Sequence, residues 1–262
     1  GDSNIGNADR YGNCGTFEAD SQNVKVDFTY LNRDENNNVL PEEDWVQKVV
    51  INGNSELIKS NATNATVTKH ATISMAGKDL EATATNSEDG KAAYAIYAVT
   101  EGTEGTSNVT IRDAGNIKIV AQNDANGGAS AIYADGGEGG SAKVAITTRE
   151  SKKTVTLKAN ATGNDKAVLH AVNNAEVTID GIVDITETGA EAVMVGKGSS
   201  VTLNGGVIGA ADDEEAISLA EGNDVAIRLV DGGKLSINQV PANEYDVAIN
   251  GDIVLAGESN AI

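Results

Sequence analysis

One apolar phrase returns along the chain in a way that leaves few folds open. Ala followed by Ile or Val occurs at Ala95-Ile96, Ala131-Ile132, Ala167-Val168, Ala192-Val193, Ala216-Ile217 and Ala248-Ile249, in steps of 36, 36, 25, 24 and 32 residues. The first two copies share four letters, AIYA. A second phrase lies between successive copies: Val109-Thr110-Ile111, Val144-Ala145-Ile146, Val177-Thr178-Ile179, Val201-Thr202-Leu203 and Val225-Ala226-Ile227. A third follows it: Ile117-Lys118-Ile119, Val155-Thr156-Leu157, Val183-Asp184-Ile185, Val207-Ile208 and Leu235-Ser236-Ile237. Each phrase alternates like a strand with one buried face. The order holds over all passes, and the variable lengths fall in connections such as EGTEGTS, DGGEGGS and TRESKK. Insertions confined to loops at kept strand spacing mark a solenoid.

Three short parallel strands per unit predict an all-β parallel β-helix, three strands to a coil, with corresponding strands stacked at about 4.8 Å. A narrow column of Val, Ile, Leu and Ala then forms the core, which explains why aromatic residues make up only 3% of the 262-residue chain. An antiparallel sandwich would not predict a fixed three-strand phrase. No helical periodicity runs long enough for βαβ units. Residues 61–262 are read as coils, with Asn64–Thr85 as a less regular turn. Residues 1–60 hold the single Trp, both Phe and Cys14, and are read as an N-terminal cap with irregular first turns. PEEDWVQKVVI is read as a short helix or an edge strand.

The phrase A-[IV]-x-x, a Gly/Asn/Asp turn, V-[TA]-[IL], a Gly turn and a third alternating strand resembles the passenger domain of a Gram-negative autotransporter (type V secretion), over about 65–262. The resemblance implies a right-handed β-helix exported through the outer membrane to the cell surface, commonly as an adhesin. A single Cys, with no pair to cross-link, fits a chain that crosses a pore unfolded. A passenger fragment is expected to lack signal and translocator, with coils continuing past 262. Some passengers carry a GDSGS serine-protease motif; here GDSN at Gly1–Asn4 departs from it, with Asn4 where the motif has Gly, so Ser3 is not expected to be a nucleophile.

Net charge −20 argues against nucleic acid, since phosphates need clustered Lys and Arg, and against attachment to anionic lipid. No apolar run approaches a membrane helix. The acidic glycine loops NDANGG (123–128), ADGGEGG (134–140) and ADDEE (211–215) match no EF-hand, so no cofactor is expected and calcium is at most a weak possibility there. His70 and His170 lie about three coils apart and cannot share a metal. A carbohydrate-active lyase or hydrolase would need acids converging from neighbouring coils; Asp180 and Asp184 are the only approach to this, on one coil.

The remaining candidate is a surface. With Ile or Val turned inward, the opposite face carries Ala95/Tyr97, Ala131/Tyr133, Ala167/Leu169 and Ala192/Met194, an apolar strip of the kind that marks interfaces. The expected binding residues are Tyr97, Tyr133, Leu169 and Met194, rimmed by Glu104, Asp135 and Glu138. The expected function is a non-catalytic adhesin or self-association module whose partner is a host-cell or bacterial surface protein or glycan. A polysaccharide-cleaving enzyme and a passive stalk are the alternatives.

Overall fold

The computed structural model describes residues 8–19, 22–64, 66–161, 167–186, 191–209, 225–238 and 247–262. Every strand pair is parallel, and the strands fall into three stacks that the chain visits in constant order. Face one holds Phe17–Glu18, Ile58–Ala62, Ala93–Thr100, Ala129–Asp135, Leu169–Val172, Val193–Gly196, Val225–Val230 and Asp252–Ala256. Face two holds Asn23–Asp27, Thr68–Ser74, Thr106–Ala114 and Ser141–Thr148. Face three holds Asn13–Cys14, Lys48–Asn54, Asp79–Asn86, Ile117–Asn123 and Thr154–Asn160. In the two tightest coils a single bent strand, Ala175–Ile185 and then Ser200–Ile208, supplies faces two and three together. The molecule is a parallel β-helix, as the repeat predicts.

The alternation drives this arrangement. Val109 and Ile111 stack on Val144 and Ile146, which stack on Val177 and Ile179, and all are buried. Each such side chain removed from water contributes roughly 1.5–3 kcal/mol. The corners are closed by hydrogen-bonded polar side chains. Asn123, buried, donates to the Lys91 and Gly128 carbonyls at 2.8 Å each and accepts from Asn86 of the previous coil at 3.2 Å. At the next corner Ser107 donates to the Val99 carbonyl (2.7 Å) and Thr100 to the Ser141 carbonyl (2.6 Å).

The segment read as a cap already contains a coil. Asn13–Cys14, Phe17–Glu18 and Asn23–Asp27 pair in register with Lys48–Asn54, Ile58–Ala62 and Thr68–Ser74, so the solenoid starts well before residue 61. What is irregular is the excursion after it. A 3-10 turn at Phe28–Asn32 tucks Phe28 against Phe17 (ring centroids 6.3 Å apart), a second follows at Glu42–Asp44, and Trp45 donates to the Leu40 carbonyl at 2.9 Å. PEEDWVQKVVI is thus part 3-10 turn and part strand.

Beyond residue 209 the phase differs from the sequence reading by one face. Val225-Ala226-Ile227, read as face two, pairs with Val193–Gly196 on face one. Leu235-Ser236-Ile237, read as face three, pairs with Val201–Leu203 on face two. Ala248-Ile249, read as face one, pairs with Val207-Ile208 on face three. Ala216-Ile217, which set that phase, lies outside the described residues. The cause is that an inward Val-x-Ile is equally at home on any face, so the pattern carries no label for which face it occupies. In the last coil Ile253 and Leu255 continue the inward columns of Ile227 and Leu229 and are 47% and 59% exposed.

Candidate functional site

Face one turns an aromatic column outward. The register aligns Lys59, Tyr97, Tyr133, His170, Met194 and Arg228 on successive coils, each half-buried. Ala95-Ile96 are both buried, a break in alternation that lets Tyr94 and Tyr97, three residues apart, face the same way. The rings pack coil upon coil. Tyr94 stacks on Tyr133 with centroids 4.7 Å apart, Tyr97 stacks on Tyr133 at 5.9 Å, and the His170 ring meets Tyr133 at 5.1 Å and 85°. Ring faces consumed by stacking at the strand spacing leave ring edges, and the hydroxyls of Tyr94 and Tyr97, for a partner.

Leu169 and the four alanines of the expected strip are placed differently. Leu169 is fully buried and points into the core beneath Ile132, and His170 takes the outward place. The sequence reading aligned Val168 with Ile132, and a slip of one residue exchanges the two sides of a strand. The Ala column (Ala95, Ala131, Ala167, Ala192) is buried too, not part of the outer surface. Tyr97, Tyr133 and Met194 do share the outward column. Tyr94 and His170 were missed: the first sits three residues from Tyr97, out of phase with strict alternation, and the second is hidden by the slip.

Carboxylates border the column. Tyr133 donates its hydroxyl to Asp135 Oδ2 at 3.2 Å, while Asp135 Oδ1 accepts from the Gly137 amide and Asn173 at 2.8 Å each. Lys59 pairs with Glu56 at 2.8 Å and reaches Glu18 at 4.0 Å, and Arg228 pairs with Glu191 at 2.6 Å. Burial pushes the Tyr94 phenol up to about 12, with Glu56 and Asp135 adding to it. Burial also raises Tyr97 and Tyr133, further still, with Glu56 the next cause for Tyr97 and Asp135 for Tyr133. For Lys59, burial works against the ammonium, but the hydrogen bond and charge of Glu56, with Glu18 and Glu101, outweigh it and raise its pKa.

The rim loops are layered on one another. Gly137 and Gly139 take φ of +65° and +87°, and a Cβ on either would strike the carbonyl of Thr100 or Thr103 in the coil before, at 2.2 and 2.6 Å. Glu104 and Glu138 are exposed on these loops. Loop 211–215 lies outside the described residues.

The other candidates are dispersed. His70, on face two, hydrogen-bonds Asn108 at 3.0 Å, one face away from His170. Burial raises the Cys14 thiol to about 12. Asp180 lines up with Thr147 and accepts from Asn204 at 2.7 Å; Asp184, beyond the corner on face three, lines up with Thr156 and Val207. Neither carboxylate has an acid in register on an adjacent coil. No helix among the described residues is long and apolar enough to cross a membrane. Comparison with known protein families, curated proteins and solved structures finds no match for this chain.

Proposed function

We propose that the chain is a non-catalytic binding module of a surface adhesin, exported as an autotransporter passenger, and that it engages its partner along face one. The observation that carries this reading is the outward Tyr94–Tyr97–Tyr133–His170–Met194 column, which leaves apolar ring edges and the hydroxyls of Tyr94 and Tyr97 at a half-buried, solvent-facing surface. Tyr is the residue type best suited to such contacts, being large, stiff and polar at its tip.

The border of Glu56, Glu101 and Asp135 selects the partner. Two copies of a −20 chain repel each other, so face-to-face self-association is disfavoured at low ionic strength. A protein surface bearing Lys or Arg satisfies both the hydroxyls and the carboxylates. Cells or beads displaying the chain are expected to adhere to such a surface, and Tyr97→Ser with Tyr133→Ser should reduce adhesion by tenfold or more, in the range of an interface hot spot. Raised salt should slow attachment. Unchanged adhesion by the folded double variant would overturn the reading.

A further inference from the structure

A second site, independent of face one, lies where the early excursion meets the corner between faces two and three. Asp27, Ser74 and Arg112 stack in register at the ends of three successive face-two strands. Trp45 and Asn32, brought by the 28–47 excursion, close the other side of a cleft of about 560 Å³. That is room for one or two small rings.

The polar groups there are fixed, and what they leave open is specific. Arg112 Nε donates to the Ser74 hydroxyl at 2.6 Å, which sets the guanidinium plane; its two Nη groups have no hydrogen-bond partner among the described residues. Arg149 is bound bidentately to Asp113, at 2.7 Å through both Nε and Nη2. Beneath them the buried Lys78 ammonium donates to Asn32 Oδ1 and to the Val46 carbonyl. An ammonium can only donate, so it must hold the amide oxygen, and the Asn32 NH₂ is turned away from it. Asp27 takes the Thr29 amide (2.9 Å) and hydroxyl (2.6 Å) on Oδ1, leaving Oδ2 open among the described residues. Among the lining residues two arginines meet two carboxylates, and with Asp113 already holding Arg149 the Arg112 guanidinium is the cation left open to an anion.

The geometry points to a carboxylate-bearing sugar as the occupant of this cleft. The Arg112 Nη groups and the Asn32 NH₂ suit a planar anion. The Trp45 indole suits the apolar face of a pyranose ring. Asp27 Oδ2 needs a donor, which a sugar hydroxyl supplies and which acetate does not. The cleft is too small for a macromolecular face, so an acidic peptide is the rival occupant only through a single side chain.

Trp45 is the sole tryptophan, so indole emission, excited selectively over the six tyrosines, reports this cleft. Titration of the intact chain with D-glucuronate is expected to shift Trp45 emission saturably. Glucose, acetate and inorganic phosphate should each bind at least about tenfold more weakly, the size of one lost charge-assisted hydrogen bond. Arg112→Gln should weaken glucuronate by at least about tenfold, Arg112→Lys by less, both with an unchanged melting curve. Asp27→Asn should narrow the preference for glucuronate over acetate. A response that does not saturate would overturn the assignment. So would equal binding of acetate or phosphate, tighter binding of a short Glu-containing peptide, or indifference to both Arg112 variants.

Discussion

Faces one and two are built on the same inward residues and differ in what they turn outward. Inward, both stack buried Val, Ile, Leu and Ala. Outward, face two carries an His70–Asn108 hydrogen bond, a Lys143–Glu176 ion pair at 3.0 Å and threonines at 72, 110, 178 and 202, a surface satisfied by its own neighbours and by water. Face one carries stacked rings that water serves poorly. Because the core column alone fixes the coil, outward residues are free to vary without disturbing the fold. The face that departs from plain solubility is therefore the one to ask for function.

The contrast between the inward and outward columns can be broken most severely inside face one. Leu169→Ala should cost about 2–5 kcal/mol, as for a buried leucine in a packed column, whereas His170→Ala next to it should cost under about 1 kcal/mol. Urea melts of the two variants measure the difference. Next in size, Gly137→Ala should cost about 1–3 kcal/mol from its positive φ, and more from the collision with the Thr100 carbonyl. Gly90→Ala, also at positive φ but facing open space, should cost less, so the gap between the two reads the layering of the rim loops.

The phenols provide a pH test that face two lacks. Tyr94, Tyr97 and Tyr133 have raised pKa values in the folded chain, so folding holds the protonated form and unfolding allows ionisation near pH 10. Their contribution to stability is complete below about pH 10 and is lost as pH rises through the folded values. Chemical melts at pH 8 and about 10.5, with tyrosinate absorbance as the monitor, should show this decline, and Tyr97→Phe with Tyr133→Phe should flatten it. The smallest effect belongs to face two. Lys143 and Glu176 are both half-exposed, and Lys143→Ala should change stability by less than about 1 kcal/mol.

Much of this architecture is legible in the sequence. The three phrases fixed the coil, and the echo of AIYA placed Tyr97 over Tyr133, because a parallel ladder turns a sequence repeat into a spatial stack. The illegible parts share one cause. A phrase such as Val-Ala-Ile records that a strand is half-buried but not which face it joins, so nothing in Val225-Ala226-Ile227 itself corrected a phase counted from Ala216-Ile217, which lies outside the described residues. Val168-Leu169 are both apolar and both buried, so nothing local chose between their registers, and His170 was lost with the choice. Val24-Lys25-Val26 did carry the alternation of a strand, masked by the aromatic residues around it. The Arg112 cleft was out of reach, since it joins Asn32 and Trp45 to a corner made of residues dozens of positions away.

The central claim is that the outward column of face one runs Tyr97, Tyr133, His170, Met194. Single cysteines at 169 and 170, in a Cys14→Ser background, test it through their reactivity with a water-soluble maleimide on the folded chain. The account predicts rapid labelling of His170→Cys and protection of Leu169→Cys until denaturant is added. The reverse order would contradict it, and would return the leucine to the surface and the histidine to the core.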